Sequence, residues 1–196
     1  ALITPPRLDA HRLIEEFMIA ANVAAAEELE AKHTPLIYRV HDQPSKEKLA
    51  ALSEFLATLG VKLPKTGQLK PAHFNRILAE TRASPAAELV GEMVLRSQAQ
   101  AEYSASNFGH FGLNLRRYAH FTSPIRRYAD LMVHRALIRA LKLGNDGLTD
   151  AEIPLLEKVA EAISGTERRA MAAERETADR LIAAFLADRI GARFAA

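Results

Sequence analysis

The chain contains no cysteine among its 196 residues. It therefore cannot form disulfides or thiolate metal sites, and this composition fits a reducing cytoplasm, which is the location we expect. The sequence also has no apolar run near the roughly 18 residues that would span a bilayer, and no signal peptide is visible. We therefore expect no membrane partner. The first residue is Ala1 and not an initiator methionine, so we expect the chain to be a piece of a longer protein.

The net charge is small, but its distribution along the chain is uneven. The formal charge is +2, from 26 basic and 24 acidic residues. Seven of the basic residues lie between positions 115 and 142, where Asp130 is the only acid. A local positive field on an otherwise acidic chain is typical of a surface that binds a polyanion such as nucleic acid. Because 48% of the residues are hydrophobic, an ordered core is expected as well, and we predict one domain over residues 1–196.

The segment from Ser123 to about Leu143 carries the most informative pattern. Ser123 is a preferred helix N-cap and Pro124 suits the first helical position, so we predict a helix over 123–143. Helix starts favour acids because their free N–H groups and macrodipole are positive, yet this one carries Arg126 and Arg127. An anion at this end, most commonly phosphate, would compensate, and we predict a phosphate clamp. The alternative is an arginine pair on an ordinary solvated face.

Two further residues extend the pattern along this predicted helix. Asp130 follows Arg126 by four residues and His134 follows Asp130 by four, so the three side chains can share one helix face. In that arrangement Asp130 can hold the Arg126 guanidinium. Alternatively, the three form a ladder of charges on the surface. The aromatic residues Tyr118, Phe121 and Tyr128 flank the two arginines, and this favours the phosphate clamp over a solvated arginine pair.

A long helix is predicted over 9–32, because Asp9 can cap it and the segment is rich in Ala, Leu, Met and Glu. Its apolar residues project in almost every direction, a pattern typical of a buried helix. Glu15, Glu16 and Asn22 would then lie inside a core helix, where unpaired carboxylates are costly. These residues either pair with buried basic groups or face a polar channel.

The remaining sequence predicts short elements, so the fold class is mainly α with a few short β-strands. The patterns favour a strand within 35–40, helices at 45–59, 71–82 and 84–100, and irregular segments at 1–8 and 60–70. Gly109 and Gly112 interrupt the periodicity around His110, and glycine allows a backbone to approach a ligand closely. A turn at 144–149 joins the core, residues 1–143, to a last helical segment at 150–190 whose charges predict a solvated surface.

Several stretches resemble one known protein family. A close resemblance to the signature of the ribonuclease II and ribonuclease R family of 3'-to-5' exoribonucleases is carried by Gly-His-Phe-Gly-Leu (109–113), Tyr-Ala-His-Phe-Thr-Ser-Pro-Ile-Arg-Arg-Tyr-Ala-Asp-Leu (118–131) and His134-Arg135. The bacterial ribonuclease R pattern is also resembled, in the same order, by Ile-Glu-Glu-Phe-Met-Ile-Ala-Ala-Asn (14–22), Tyr-Arg-Val-His-Asp-Gln-Pro-Ser (38–45) and Glu-Arg-Arg-Ala-Met-Ala-Ala-Glu-Arg (167–175). The resemblance covers nearly the whole chain, and such long, ordered motifs are specific.

The resemblance implies a fold and an activity. The chain would be a partial copy of the larger α/β RNB catalytic domain, in an enzyme that hydrolyses single-stranded RNA to nucleoside 5'-monophosphates. Arg126 would be catalytic and would neutralise charge on the phosphate in the transition state. A glutamate of the 14–22 motif would lie by the ribose, with Glu16 the closer match and Glu15 nearer Asn22 on a helical projection. The candidate RNA and phosphate ligands are Ser123, Arg127, Tyr128, Thr122, His110, Glu16, Glu15, Asn22 and Glu174.

The family is also implied to use Mg²⁺ held by clustered aspartates. The chain has seven aspartates, and no two are closer than four residues. We therefore expect no metal site within it, with the Mg²⁺ ligands upstream of Ala1 and an isolated chain that is inactive. The expected partners are single-stranded RNA, the upstream part of the same catalytic domain and flanking RNA-binding barrels. The competing hypothesis is a noncatalytic helical RNA-binding module.

Overall fold

The computed structural model describes residues 6–64 and 69–192. The chain order is α1 (Asp9–Ala31), β1 (Tyr38–Val40), α2 (Lys46–Thr58), α3 (Pro71–Thr81), α4 (Ala87–Ser97), β2 (Glu102–Ser104), α5 (Tyr128–Leu141) and α6 (Leu156–Leu186). The predicted class, mainly α with short strands, is confirmed. Parts of the predicted irregular segments at 1–8 and 60–70 lie outside the described residues. No helix in the described ranges is long and apolar enough to cross a membrane.

The two strands form a small sheet at the centre of the main core. They pair antiparallel, with Arg39 opposite Tyr103. Around this sheet pack the second half of α1, the start of α5 and the first turns of α6. The buried side chains of this core include Leu29, Ile37, Val40, Tyr103, Met132, Val133 and Ala160.

A second hydrophobic cluster belongs to the chain between β1 and β2. Helices α2, α3 and α4 pack against one another through buried residues that include Leu52, Leu56, Phe74, Ile77 and Val90. Phe111, which begins a 3-10 turn over Phe111–Leu113, packs on this cluster with its ring edge-on to Phe74 at 6.2 Å. The loop around Phe111 therefore joins the helical cluster to the main core.

The prediction that the long first helix is buried all round is wrong. Only its second half packs into the core, through Asn22, Ala25, Ala26 and Leu29. In its first half Leu13, Ile14 and Phe17 are 55%, 57% and 62% exposed. Apolar residues on every side favour burial of any face of a helix. Burial also requires a neighbouring element that packs against that face. Among the described residues no element buries these three side chains.

The predicted start of the clamp helix is also wrong. Helix α5 begins at Tyr128, and Arg127 is its N-cap residue in an extended conformation. The preceding residues form a turn in which the Ser123 carbonyl accepts hydrogen bonds from the amides of Arg126 and Arg127 at 3.3 and 3.1 Å. A side chain farther along the helix explains the difference, because Asp130 binds the Ser123 amide at 2.7 Å and so closes the turn.

Helix α6 forms the predicted C-terminal segment. Pro154 lies in a 3-10 turn, Ile153–Leu155, before the helix, and α6 then continues without interruption through Gly165. Its first turns pack on β2, whereas residues beyond Glu167 are exposed. Glu167 itself is not a solvated charge as predicted, because it forms a bidentate pair with Arg39 of β1 at 2.6 and 3.1 Å. This pair links α6 to the sheet.

Candidate functional site

The turn before α5 brings together a buried carboxylate and a guanidinium. Asp130 is fully buried, and it accepts hydrogen bonds from Arg127 Nε and Nη2, both at 2.8 Å. The prediction that Asp130 holds Arg126 is therefore wrong, as is the alternative of a surface ladder. Asp130 and Arg126 would be four residues apart on a continuous helix, but the chain before Tyr128 is a turn, and this places Arg127 against the carboxylate.

Arg126 and Arg127 line one groove of about 500 Å³, which we call the arginine groove. Tyr128, which is 51% exposed, also lines this groove. The lining further includes Tyr103 of β2 and, on α6, Glu167 and its neighbours. Within the described residues Arg126 is exposed and forms no ion pair, so its guanidinium is available to a ligand.

A second groove, of about 390 Å³, runs between α1 and the loop that precedes α5. Glu15 and Asn22 of α1 line it, together with Leu113 and Tyr118 of the loop and with Arg127. Arg127 thus lines both grooves. The structure distinguishes the two neighbouring glutamates, because Glu15 lines this groove and Glu16 lines neither of the two.

The alternatives for the polar residues of α1 resolve differently for each residue. Glu15 pairs with Arg7 at an exposed position, so it has no buried basic partner. Asn22 is 2% exposed, and both ends of its amide are in use: Nδ2 donates to the Tyr118 hydroxyl at 3.0 Å and Oδ1 accepts from the Phe121 amide at 2.9 Å. Asn22 therefore fastens α1 to the loop that carries the arginines.

His110 lies apart from the two arginines, in a site built by the protein itself. Its ring stacks on His41 at 5.1 Å, and its Nδ1 accepts the Leu113 amide at 3.2 Å. Burial, reinforced by the neighbouring His41, lowers the pKa of His110 to about 4. Gly109 has a φ of +81°, and a Cβ there would lie 3.2 Å from the Leu115 carbonyl oxygen. The glycine thus permits close approach of the chain to itself.

Tyr103, which lines the arginine groove, is hydrogen-bonded to His120. The Tyr103 hydroxyl and His120 Nδ1 are hydrogen-bonded at 2.9 Å, and the Arg39 guanidinium lies 4.5 Å from the centre of the Tyr103 ring. Burial lowers the pKa of His120 to about 3, with Arg127 and Arg39 adding to the effect. The sequence reasoning missed Tyr103, Arg39 and Glu167 as neighbours of the site. Arg39 lies in the 38–45 motif and Glu167 in the 167–175 motif, so the family resemblance was the sequence feature that could have pointed to them.

The other candidate ligands occupy varied positions. Ser123 uses its backbone within the turn, and the Thr122 hydroxyl is buried without a hydrogen-bond partner among the described residues. Glu174 is exposed on α6, one turn beyond Ala170 at the edge of the arginine groove, and it lines neither groove. The structure therefore does not group Glu174 or His110 with the two arginines.

Much of the positive charge between positions 115 and 142 is neutralised in the folded chain. Acidic partners bind four of its arginines, in the pairs Arg117–Glu30, Arg127–Asp130, Arg135–Glu152 and Arg139–Asp150.

Metal binding requires several ligand side chains that lie close together. Across residues 6–64 and 69–192 no three His, Asp or Glu side chains converge in a way that could hold a metal ion. The described residues therefore do not fit a Mg²⁺ site.

Comparison with known proteins identifies relatives of the whole chain. The RNB domain pattern matches residues 1–143. Ribonuclease R of Aquifex aeolicus is 44% identical over 185 residues, and ribonuclease R of Escherichia coli is 42% identical over 193 residues. Each alignment covers 94% of this chain but only 26% and 24% of the respective relative, so the chain spans about a quarter of their length.

Solved structures show the same relationship. The apo form of Mycoplasma genitalium RNase R superposes with a TM-score of 0.88 at 33% identity, over 96% of this chain and 30% of that one. The complex of that protein with ribose-methylated single-stranded RNA gives 0.86 at 32% identity, over the same shares. A yeast pseudonuclease, Ssd1, shares the fold over 81% of this chain and 20% of that one, with a TM-score of 0.67 at 22% identity. The sequence relatives and the RNB pattern agree, and the chain belongs to the RNB-domain family, which includes ribonuclease R.

Proposed function

We propose that this chain is part of a 3'-to-5' exoribonuclease that hydrolyses single-stranded RNA to nucleoside 5'-monophosphates, and that it supplies the phosphate clamp and one wall of the RNA channel. The observation that carries the proposal is the position of Arg127 between two grooves, with Arg126 and Tyr128 beside it. A polynucleotide needs a continuous path with cations at intervals, and adjoining grooves that share an arginine meet this need.

The chemistry of each side chain suggests its role in this proposal. Arg126 carries an exposed guanidinium without an acidic partner among the described residues, so it can approach a phosphate and stabilise charge that develops there during hydrolysis. Arg127 is held in place by Asp130 and orients the RNA backbone. The half-exposed ring of Tyr128 can stack on a base. These roles concern binding and charge, and none requires a metal ligand from this chain.

Magnesium belongs to the proposal only as a component supplied from elsewhere. The described residues do not form a metal site. If the family's Mg²⁺ is used, its ligands must then come from other parts of the enzyme, and the chain alone would bind RNA without cleaving it.

A noncatalytic RNA-binding module is the second candidate function. The fold match to a pseudonuclease supports this candidate, because a protein can have this architecture without hydrolysing RNA. Both candidates require the arginine groove to bind RNA. Only the exoribonuclease requires Arg126 to act in the chemical step.

The substitution Arg126→Ala in the full-length protein that carries this chain separates the two candidates. We expect turnover of single-stranded RNA to fall by about 10²-fold or more, because a charge that stabilises the transition state is lost. We expect RNA affinity, measured without divalent metal, to fall by less than about tenfold, because several phosphate contacts remain.

The matched control is Arg82→Ala. Arg82 is an exposed arginine at the end of α3, distant in sequence from the clamp and outside both grooves. Its removal should leave turnover and affinity unchanged. Equal turnover of Arg126→Ala and the parent enzyme would reject a catalytic role for Arg126, and absence of any hydrolysis by the parent would favour the binding module.

A further inference from the structure

Asp130 is the one acid in the basic stretch between positions 115 and 142, and it is fully buried. A carboxylate in such a position must be paired to be tolerated. Asp130 is fully used: it accepts the Ser123 amide at 2.7 Å and two hydrogen bonds from Arg127 at 2.8 Å. Removal of the Arg127 guanidinium would leave Asp130 as a buried charge without a compensating partner.

The direction of these hydrogen bonds determines which part of Arg127 is available to a ligand. A guanidinium presents its N–H groups along fixed edges of a plane. Asp130 occupies the edge formed by Nε and Nη2. Nη1 donates no hydrogen bond to any described residue, and the Arg127 side chain, 18% exposed, lines both grooves. The Nη1 end of this guanidinium is therefore free and held in a fixed orientation, on a side chain that both grooves share.

Arg126 has no comparable support. Its side chain is exposed and, among the described residues, contacts no carboxylate. Asp130 acts on it only through the main chain, by holding the Ser123 amide at the start of the turn that carries Arg126. The adjacent arginines thus differ in kind, since one is ordered before a ligand arrives and the other is free to move with it.

We infer that Asp130 is a positioning residue for the phosphate clamp: it orders the Arg127 guanidinium and leaves Nη1 free, so that a backbone phosphate in the grooves meets a donor that is already oriented. The inference rests on the proposed function, because it assumes that RNA occupies these grooves. An ordered donor loses less conformational freedom on binding than a mobile one, so it binds phosphate more tightly at equal charge.

A double-mutant cycle on RNA affinity tests the coupling between the two residues. The protein carrying this chain is titrated with fluorescently labelled single-stranded RNA at one salt concentration, with EDTA present to prevent cleavage. We expect Arg127→Ala to weaken binding by about tenfold and Asp130→Asn by about five-fold. The double variant should bind no worse than Arg127→Ala, because asparagine keeps an Oδ1 that can accept the Ser123 amide, and the role that is lost acts through Arg127. Losses that multiply would overturn the inference.

A second variant keeps the test decisive if Asp130→Asn does not fold. Arg127→Lys retains the positive charge but cannot form the bidentate pair with Asp130. Positioning predicts that this variant loses most of the affinity that Arg127→Ala loses. Affinity equal to the parent would overturn the inference, because charge alone would then suffice.

The matched control breaks a similar pair on the same helix. Arg135 of α5 donates hydrogen bonds to both carboxylate oxygens of Glu152, and this pair lies outside both grooves. Glu152→Gln should lower thermal stability without changing RNA affinity, whereas an equal loss of affinity would assign the Asp130 effect to helix stability and overturn the inference. If Arg127→Ala itself leaves RNA affinity unchanged, the proposed function fails first. A normal loss in Arg127→Ala with an uncoupled Asp130 rejects only the positioning role.

Discussion

Two arginines that are adjacent in sequence have different environments once the chain folds. Arg127 is bound on one edge by a buried carboxylate, and Arg126 is exposed. Bidentate pairing fixes the plane of a guanidinium, while an exposed side chain samples many rotamers. The division of roles that we propose, with Arg127 orienting RNA and Arg126 reaching the reacting phosphate, is based on this difference in order.

The buried histidines allow a prediction about stability at the scale of single residues. Burial lowers the pKa of His120 to about 3 and that of His110 to about 4. In the unfolded chain both histidines take up a proton as the pH falls below about 6.5. Between that value and the folded pKa the unfolded state binds more protons, so stability rises with pH. The stabilisation is complete above about pH 6.5 and is lost as the pH falls towards 4.

We therefore expect the free energy of unfolding, measured with urea, to be lower at pH 5 than at pH 7. His120 alone should contribute on the order of 1–2 kcal/mol to this difference. His120→Asn should remove that part of the pH dependence. The matched control is His33→Asn, because His33 is exposed and has a φ of +51°, a conformation that asparagine tolerates. An unchanged pH dependence in His120→Asn would contradict the prediction.

At the scale of elements, α1 combines an anchored half with an exposed half. Asn22, near the middle of the helix, fastens it to Tyr118 and to the Phe121 amide. The turns before Asn22 then project one face along the second groove, with Glu15 on that face and Glu16 turned away from it. The buried Asn22 amide thus adds a direct link between the helix and the loop that carries the arginine clamp.

This geometry predicts different effects for the two neighbouring glutamates. A carboxylate in an RNA groove can accept a hydrogen bond from a ribose 2'-hydroxyl, which DNA lacks. We expect Glu15→Gln to reduce the preference for RNA over DNA of the same sequence several-fold, measured by competition binding without metal. Glu16→Gln is the matched control and should leave the preference unchanged. The reverse result, an effect at Glu16 alone, would show that α1 is rotated or extended differently when RNA is bound.

At the scale of the whole molecule, the chain spans about a quarter of its ribonuclease R relatives and holds one side of a proposed site. Ion pairs neutralise four arginines of its basic stretch. The remaining field is modest, so the RNA binding that we propose for this chain rests on a few phosphate contacts. Such contacts release counterions and are sensitive to salt.

We expect the chain alone to bind single-stranded RNA weakly, with an affinity that falls steeply as salt rises. The logarithmic slope should be about −0.7 for each phosphate contacted, and Arg126→Ala should reduce its magnitude by up to about one contact, whereas Arg82→Ala should not. Fluorescence anisotropy at several salt concentrations measures these slopes. Addition of Mg²⁺ should produce no mononucleotides. Clean release of nucleoside monophosphates by the chain alone would contradict the proposal that other parts of the enzyme supply the metal ligands.

The sequence by itself determined the fold class, most helix positions and the family. These properties depend on local signals, namely periodicity, caps, glycine turns and ordered motifs, each contained in a short stretch of chain. It also singled out Arg126, Arg127 and Asp130 as the residues of interest. Whether Arg126 is catalytic stays a prediction.

Only the tertiary structure decided how those residues meet. Arg126 and Asp130 would pair on an unbroken helix, but the turn closed by Asp130 moves the start of α5 to Tyr128 and gives the carboxylate to Arg127. Likewise, the grooves exist because α1, the sheet and α6 converge on this turn from distant parts of the chain. Contacts of that kind depend on the packing of elements far apart in sequence, which no local pattern encodes.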